Sequence, residues 1–264
     1  MRIQGMGKMY RTLKTMGTQK IMRSKPRILA GGAALAKQLL FPLRCPVCDD
    51  IVHPFGEKIC PGCIPKRKLL LGDYCMKCGK RVQEQRELCG DCNNKKHVFF
   101  KGRALYEYES MAGSIYRFKY GGRQEYAEFY GAELARYLGD FVREIKPDAL
   151  IPIPLHKSRQ RRRGYNQAAL LARALGRRLD VPVLENYLLR VRNTVPLKQL
   201  NPKERQNNLK KAFKIVGNDV KLKTVILVDD IYTTGSTVDE AAGVLTAEGV
   251  ECVCFVALAC GAGV

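Results

Sequence analysis

The chain has 264 residues, 46% of them hydrophobic, and 46 Lys and Arg stand against 25 Asp and Glu, a net charge of +21. That length holds one large domain plus a small one, and the apolar content is enough for a packed core. The absence of any run of eighteen apolar residues excludes an integral membrane segment, and the basic balance favours polyanionic partners.

Residues 1–44 hold ten Lys and Arg and no acid. Residues 1–27 lack periodicity and are expected to be mostly disordered. Residues 28–43 read as a short apolar helix ended by Pro42, docked on the domain that follows.

Cys45/Cys48, Cys60/Cys63, Cys75/Cys78 and Cys89/Cys92 form four C-x-x-C pairs, separated by 11, 11 and 10 residues. Two such knuckles complete a tetrahedral S₄ site, which suits Zn²⁺ and leaves no open position for catalysis. Eight thiolates predict two structural zinc sites, with an iron–sulfur centre the weaker alternative. His53 and His97 are not needed as ligands. Cys45–Cys63 and Cys75–Cys92 look like a repeat, and sequential and interleaved pairing both remain open. Eleven cysteines, an odd count without a signal peptide, point to a reducing cytoplasm rather than a secreted disulfide framework.

Residues 97–110 alternate weakly and predict a hairpin. A helix over 111–120 ends at a basic, flexible elbow, Lys119-Tyr120-Gly121-Gly122. A longer amphipathic helix over 125–145 carries Tyr126, Phe129, Leu134, Leu138 and Phe141 and stops before Pro147. Asp148–Leu155 reads as the first strand of the main sheet, followed by a basic loop, His156–Asn166. Lys157 and Arg159 in that loop are candidates for a second anion such as pyrophosphate; the alternative is an exposed charge run made by them and Arg161, Arg162 and Arg163. A helix with Ala168, Leu171, Ala172, Leu175 and Leu179 on one stripe comes next, then a strand over 183–192. The long polar connection Asn193–Lys211 predicts a mobile lid. Residues 212–216 return to strand, and Glu251–Leu258 is a last buried strand, with Cys252 and Cys254 as core residues.

Between these last two lies the stretch that carries the chemistry. Val225–Val228 reads as a buried parallel strand. Asp229 and Asp230 follow, then the turn Thr233-Thr234-Gly235-Ser236-Thr237, then Val238, Ala241, Ala242 and Leu245 at helical spacing. A helix N-terminus beyond a strand's carboxyl end is a ready anion site. Gly235 lets the backbone approach closely, and the hydroxyls add donors. The paired carboxylates repel a phosphate but accept hydrogen bonds from a vicinal diol. Phosphate plus diol describes a ribose 5-phosphate. A P-loop ATPase is excluded, because the chain holds no G-x-x-x-x-G-K-[ST] stretch.

This stretch resembles the phosphoribosyl-pyrophosphate (PRPP) signature of type I phosphoribosyltransferases. More widely, the chain resembles the ComF family (competence protein F). The residues that carry the likeness are the C-x-x-C array, Phe118-Lys-Tyr-Gly-Gly122, Pro152-Ile-Pro-Leu-His156, Arg163-Gly-Tyr-Asn-Gln167, Arg190-Val-Arg-Asn-Thr194, Arg205 with Asn208, Ala212-Phe213 and Val228–Gly235. One position departs: Leu197 stands where a Gln is usual. The resemblance implies an α/β fold, a mostly parallel sheet with helices on both faces, preceded by a small zinc-ribbon domain. With it go the boundaries 1–44 for a basic extension, 45–96 for a double zinc ribbon and 97–264 for the phosphoribosyltransferase-like domain. It also implies a Mg²⁺-dependent phosphoribosyltransferase, in which a nucleophile attacks the ribose C1 as pyrophosphate leaves. Asp229 and Asp230 would hold the ribose hydroxyls and Thr233, Thr234, Gly235, Ser236 and Thr237 the 5-phosphate, while Mg²⁺ bridges PRPP oxygens. The implied context is uptake of single-stranded DNA alongside other competence proteins. The rival readings are a nucleic-acid-binding competence protein that keeps the fold without turnover, and a regulator that senses PRPP.

Overall fold

The computed structural model describes residues 42–54, 56–83, 86–192, 212–216 and 221–261. The expectations for residues 1–41 and for the lid at 193–211, with Leu197, Arg205 and Asn208, lie outside the described residues. Leu43–Val264 forms one compact unit.

The unit begins with two cysteine knuckles of the same design. Cys45 N donates to Asp50 O at 2.7 Å and Asp49 N to Cys45 O at 2.9 Å; Cys75 N donates to Lys80 O at 2.7 Å and Gly79 N to Cys75 O at 2.8 Å. Asp49 and Gly79 occupy the same place in the two turns, and both adopt a left-handed backbone. The repeat read from the cysteine spacing is therefore a repeat of geometry. The fourth pair, Cys89 and Cys92, sits at the start of a short helix, α1 (Gly90–Asn94).

Residues 97–110 do not form the expected hairpin. They hold a single strand, β1 (Gly102–Glu107), and a helix, α2 (Tyr108–Tyr120), starts directly after it. Ala104, Leu105 and Tyr106 are all buried, as in a strand covered on both faces. Next come α3 (Tyr126–Ile145) and β2 (Ala149–Pro152). The basic stretch after β2 is not a loop but a helix, α4 (Lys157–Arg163), capped by His156 and stopped by Gly164 in the left-handed region. Its Lys, Gln and Arg residues are good helix formers, and the glycine supplies the stop. Helix α5 (Gln167–Leu179) follows. The strand expected over 183–192 is shorter: β3 (Leu188–Arg190) pairs antiparallel with β4 (Phe213–Ile215) in a separate two-stranded sheet. The chain ends with β5 (Thr224–Tyr232), α6 (Ser236–Ala247) and β6 (Cys252–Cys260).

The main sheet is parallel throughout, in the order β1-β6-β5-β2. Along β5 the apolar residues feed two cores in alternation. Ile226 and Val228 join the core under α3 and α5, whereas Val225 and Leu227 join the core under α6. Helices thus cover both faces. Cys45 and Cys63 belong to the first core, and Cys75 and Cys78 to the second. The ribbon modules are therefore built into the unit, one on each face of the sheet. Cys254 and Cys260 are buried, as expected of a core strand, and Cys252 is half-buried.

The path of the chain creates a crevice. From β2 it runs outward through α5 to Val183, which bridges Leu150 in parallel on the outer edge of β2. It then returns to β5 on the other side of β2 and continues through α6 to β6. The winding direction reverses between β2 and β5, and such a reversal opens a ligand crevice at the strands' carboxyl ends.

Candidate functional site

β5 outruns its neighbour at that crevice. Pro152, the last residue of β2, pairs with Val228. Asp229, Ile231 and Tyr232 continue the ladder against β6 alone. The acids were expected to follow the strand; they lie within it, at the point where one neighbouring strand has ended. A pocket there is lined by Asp229 and by every residue from Ile231 to Val238.

Gly235 ends the turn as the N-cap of α6, in the left-handed region at φ 75°, and no side chain caps the helix. The first-turn N–H groups are left to other acceptors, the arrangement that binds an anion. Thr234 Oγ1 and Ser236 Oγ lie 2.9 Å apart and share a hydrogen bond. A Cβ on Gly235 would lie 2.7 Å from the Tyr232 hydroxyl and 3.0 Å from the His97 ring. The turn therefore needs glycine both for its backbone and for its space.

Asp229 and Asp230 differ in their surroundings. Burial, and then the charge of Asp230, push Asp229 up to about 7. Its Oδ1 accepts the Asp230 backbone N–H at 2.8 Å. Asp230 is instead paired with Lys119, Nζ to Oδ1 at 2.8 Å. Lys119 sits in the last turn of α2, just before Gly121. Arg190, at the end of β3, lies within electrostatic reach of both Asp229 and Arg159. Burial holds its guanidinium below the usual range, Arg159 adds to that, and Asp229 opposes it. Sequence reasoning missed Lys119 and Arg190 as site residues. The signals were a lysine two residues before a Gly-Gly break and an arginine ending an apolar run.

The other predicted anion ligands are less uniform. Arg159 is half-buried on α4, and burial lowers its guanidinium, with Arg163 adding to the effect. Lys157 is exposed in the first turn of α4 and makes no ion pair among the described residues. Arg163 is not a free cation on the rim: it donates to Gln167 Oε1 at 2.6 Å and to the Tyr120 hydroxyl at 3.0 Å. Arg161 and Arg162 are exposed.

The cysteines settle into two groups by sequence order. The sulfurs of Cys75, Cys78, Cys89 and Cys92 all lie within 4.8 Å of one another. Those of Cys45, Cys48 and Cys63 do the same, and Cys60 Sγ is 4.0 Å from Cys48 Sγ. Tetrahedral zinc thiolate places its sulfurs about 3.8 Å apart, given Zn–S near 2.3 Å. All-sulfur donor sets at these separations fit structural Zn²⁺. The Cys75 thiol is held down to about 4, first by the hydrogen bond from Cys78 and against the effect of burial.

Comparison with known proteins follows the same division. A double zinc ribbon domain matches residues 36–93, and a phosphoribosyl transferase domain matches residues 129–262. Competence protein F of Haemophilus influenzae is 37% identical over 80% of this chain and 94% of its own length. Competence protein ComFC of Bacillus subtilis is 32% identical, over 73% of this chain and 80% of its own. The DNA utilization protein YhgH of Escherichia coli K12 is 31% identical, over 68% and 80%. No helix among the described residues is long and apolar enough to cross a membrane.

Proposed function

The chain belongs to the ComF family, and on that premise we propose that it binds PRPP, with Mg²⁺, in the crevice between β2 and β5. The observation that carries this reading is the pocket at the end of β5, where an uncapped helix N-terminus and a glycine turn meet the carboxyl of Asp229, with Asp230 next to it in the strand but outside the pocket lining. Backbone N–H groups and the hydroxyls of Thr233, Thr234, Ser236 and Thr237 receive the 5-phosphate. Asp229 and Asp230 accept hydrogen bonds from the two ribose hydroxyls. For Asp230 this means sharing or releasing Lys119, which then faces the ligand's negative end. Arg159 and Arg190, with Lys157 beyond them, supply positive charge for the pyrophosphate. Mg²⁺ bound to the diphosphate would neutralise part of the charge that Arg159, Arg190 and Lys157 face. Transfer to a nucleophile at the ribose C1 would require little of the protein beyond holding these groups and stabilising the leaving pyrophosphate.

The test is a calorimetric titration of PRPP with Mg²⁺. Wild type should bind, and Asp229→Asn with Asp230→Asn should bind more weakly by roughly 1.5–3 kcal/mol per charged hydrogen bond lost. Equal affinity in wild type and variant contradicts the assignment.

Binding of single-stranded DNA is a second reading, favoured by a separate surface. Tyr116 and Tyr120 are 64% and 53% exposed, their rings 5.1 Å apart, and the Arg163 guanidinium lies 4.7 Å from the Tyr120 ring. Arg161 and Arg162 stand exposed next to it. Exposed aromatics among arginines form a stacking platform for unpaired bases, and the relatives' names speak of competence and DNA utilization. Arg161→Ala with Arg162→Ala should flatten the salt dependence of oligonucleotide binding by about 0.7 in slope per lost phosphate contact. An unchanged slope would remove this surface from consideration.

A further inference from the structure

Asp239 lies in the first turn of α6, the helix whose N-terminus forms the pocket. Its carboxylate is held entirely by the segment that follows Cys92. Oδ2 accepts from Lys95 Nζ at 2.8 Å and from His97 Nδ1 at 2.9 Å, and Oδ1 accepts from Val98 N at 3.0 Å. These bonds hold Asp239 below the usual carboxylate range although burial pushes the other way. The His97 side chain is fully buried, stacks on Phe99 at 4.7 Å, and occupies the space that a Cβ on Gly235 would enter. Phe99 meets Tyr232 edge-on at 6.2 Å. Residues 95–99 therefore flank the turn, at Tyr232 where β5 ends and at Gly235 and Asp239 where α6 begins. A second tie runs from the other side of the metal site: Lys80 pairs with Asp91 at 2.5 Å and lies 5.9 Å from the Tyr232 ring.

We propose that the second zinc site is a working part of the anion site, with Lys95 and His97 as positioning residues. Metal at Cys75, Cys78, Cys89 and Cys92 fixes the segment after Cys92. That segment fixes the turn Thr233–Thr237 and neutralises Asp239, the acidic residue in the first turn of α6. Left unpaired, that carboxylate would repel an incoming phosphate across one helical turn. Order in the turn and metal at the second site then support each other reciprocally. This inference rests on the reading of the turn as a phosphate site.

The test uses the full chain carrying Lys95→Ala with His97→Phe, which removes both side-chain donors and keeps ring volume against Phe99. Zinc content, ligand-free hydrogen exchange over residues 233–240, and affinity for PRPP with Mg²⁺ are measured. The variant should keep both zinc ions and exchange roughly tenfold faster over 233–240, with 225–228 unchanged; PRPP affinity should fall about tenfold, the worth of one charge-assisted hydrogen bond. Adding Asp239→Asn should recover part of the affinity and none of the protection. Cys92→Ser, which empties the second site, should loosen the same residues, and Cys48→Ser should not. Unchanged exchange over 233–240 in the Lys95/His97 variant overturns the proposal. Because exchange is read without ligand, a wild-type protein that fails to bind PRPP would count against the phosphate reading alone.

Discussion

At the level of single residues, the acid pair divides its work by environment. Asp230 keeps a cation, Lys119, within hydrogen-bond distance, whereas burial and Asp230's charge push Asp229 up to about 7. For a raised carboxyl the sign is clear. Ionising Asp229 costs more in the fold than in the unfolded chain, so the ligand-free fold loses stability as pH rises from the ordinary carboxylate range through about 7. A ligand that donates hydroxyls to this carboxylate favours its ionised form. Affinity for PRPP should therefore rise between pH 6 and 8 and level off above. The phosphate's own titration, near pH 6, adds to the trend, so the decisive comparison is with Asp230→Asn. That change removes the neighbouring charge and should move the midpoint to lower pH. Titrations across this range that give one midpoint for both proteins would contradict the coupling.

At the level of elements, the turn between β5 and α6 depends on a single glycine. Gly235→Ala must take a left-handed backbone and bring a methyl against the Tyr232 hydroxyl and the His97 ring. It should cost about 1–3 kcal/mol in thermal stability and weaken PRPP binding. A variant with wild-type melting and affinity would mean that the turn can relax freely. This unit was legible from sequence because its signals are local: a β-branched run, two acids, a glycine among hydroxyls and an apolar helical stripe. The cysteine pairs were legible for the same reason. What was not legible is long-range. Weak alternation over 97–110 looks like a hairpin, yet β1 pairs with β6, about 150 residues away, and Gly102 is small because the Phe255 ring covers it. Lys119 meets Asp230 only because α2 ends beside β5, and Arg190 comes within electrostatic reach of Asp229 from a separate sheet, which no spacing announces. The basic stretch His156–Asn166 reads as a loop, yet the helix propensity of residues 157–163 and the stop at Gly164 make it α4.

At the level of the molecule, ribbon and sheet form one unit. One cysteine module enters each core, and the second reaches the turn through Lys95, His97 and Asp239. The net charge of +21 favours polyanionic partners. More narrowly, we propose that the crevice at the end of β5 receives the ribose 5-phosphate. The most direct measurement is residue-resolved hydrogen exchange with and without PRPP and Mg²⁺. Protection should concentrate at residues 229–238, with a smaller effect around Lys119 and Arg159, and should be lost in Asp229→Asn with Asp230→Asn. Saturating PRPP that leaves residues 229–238 exchanging as in the free protein, or that protects a different surface instead, would contradict the claim.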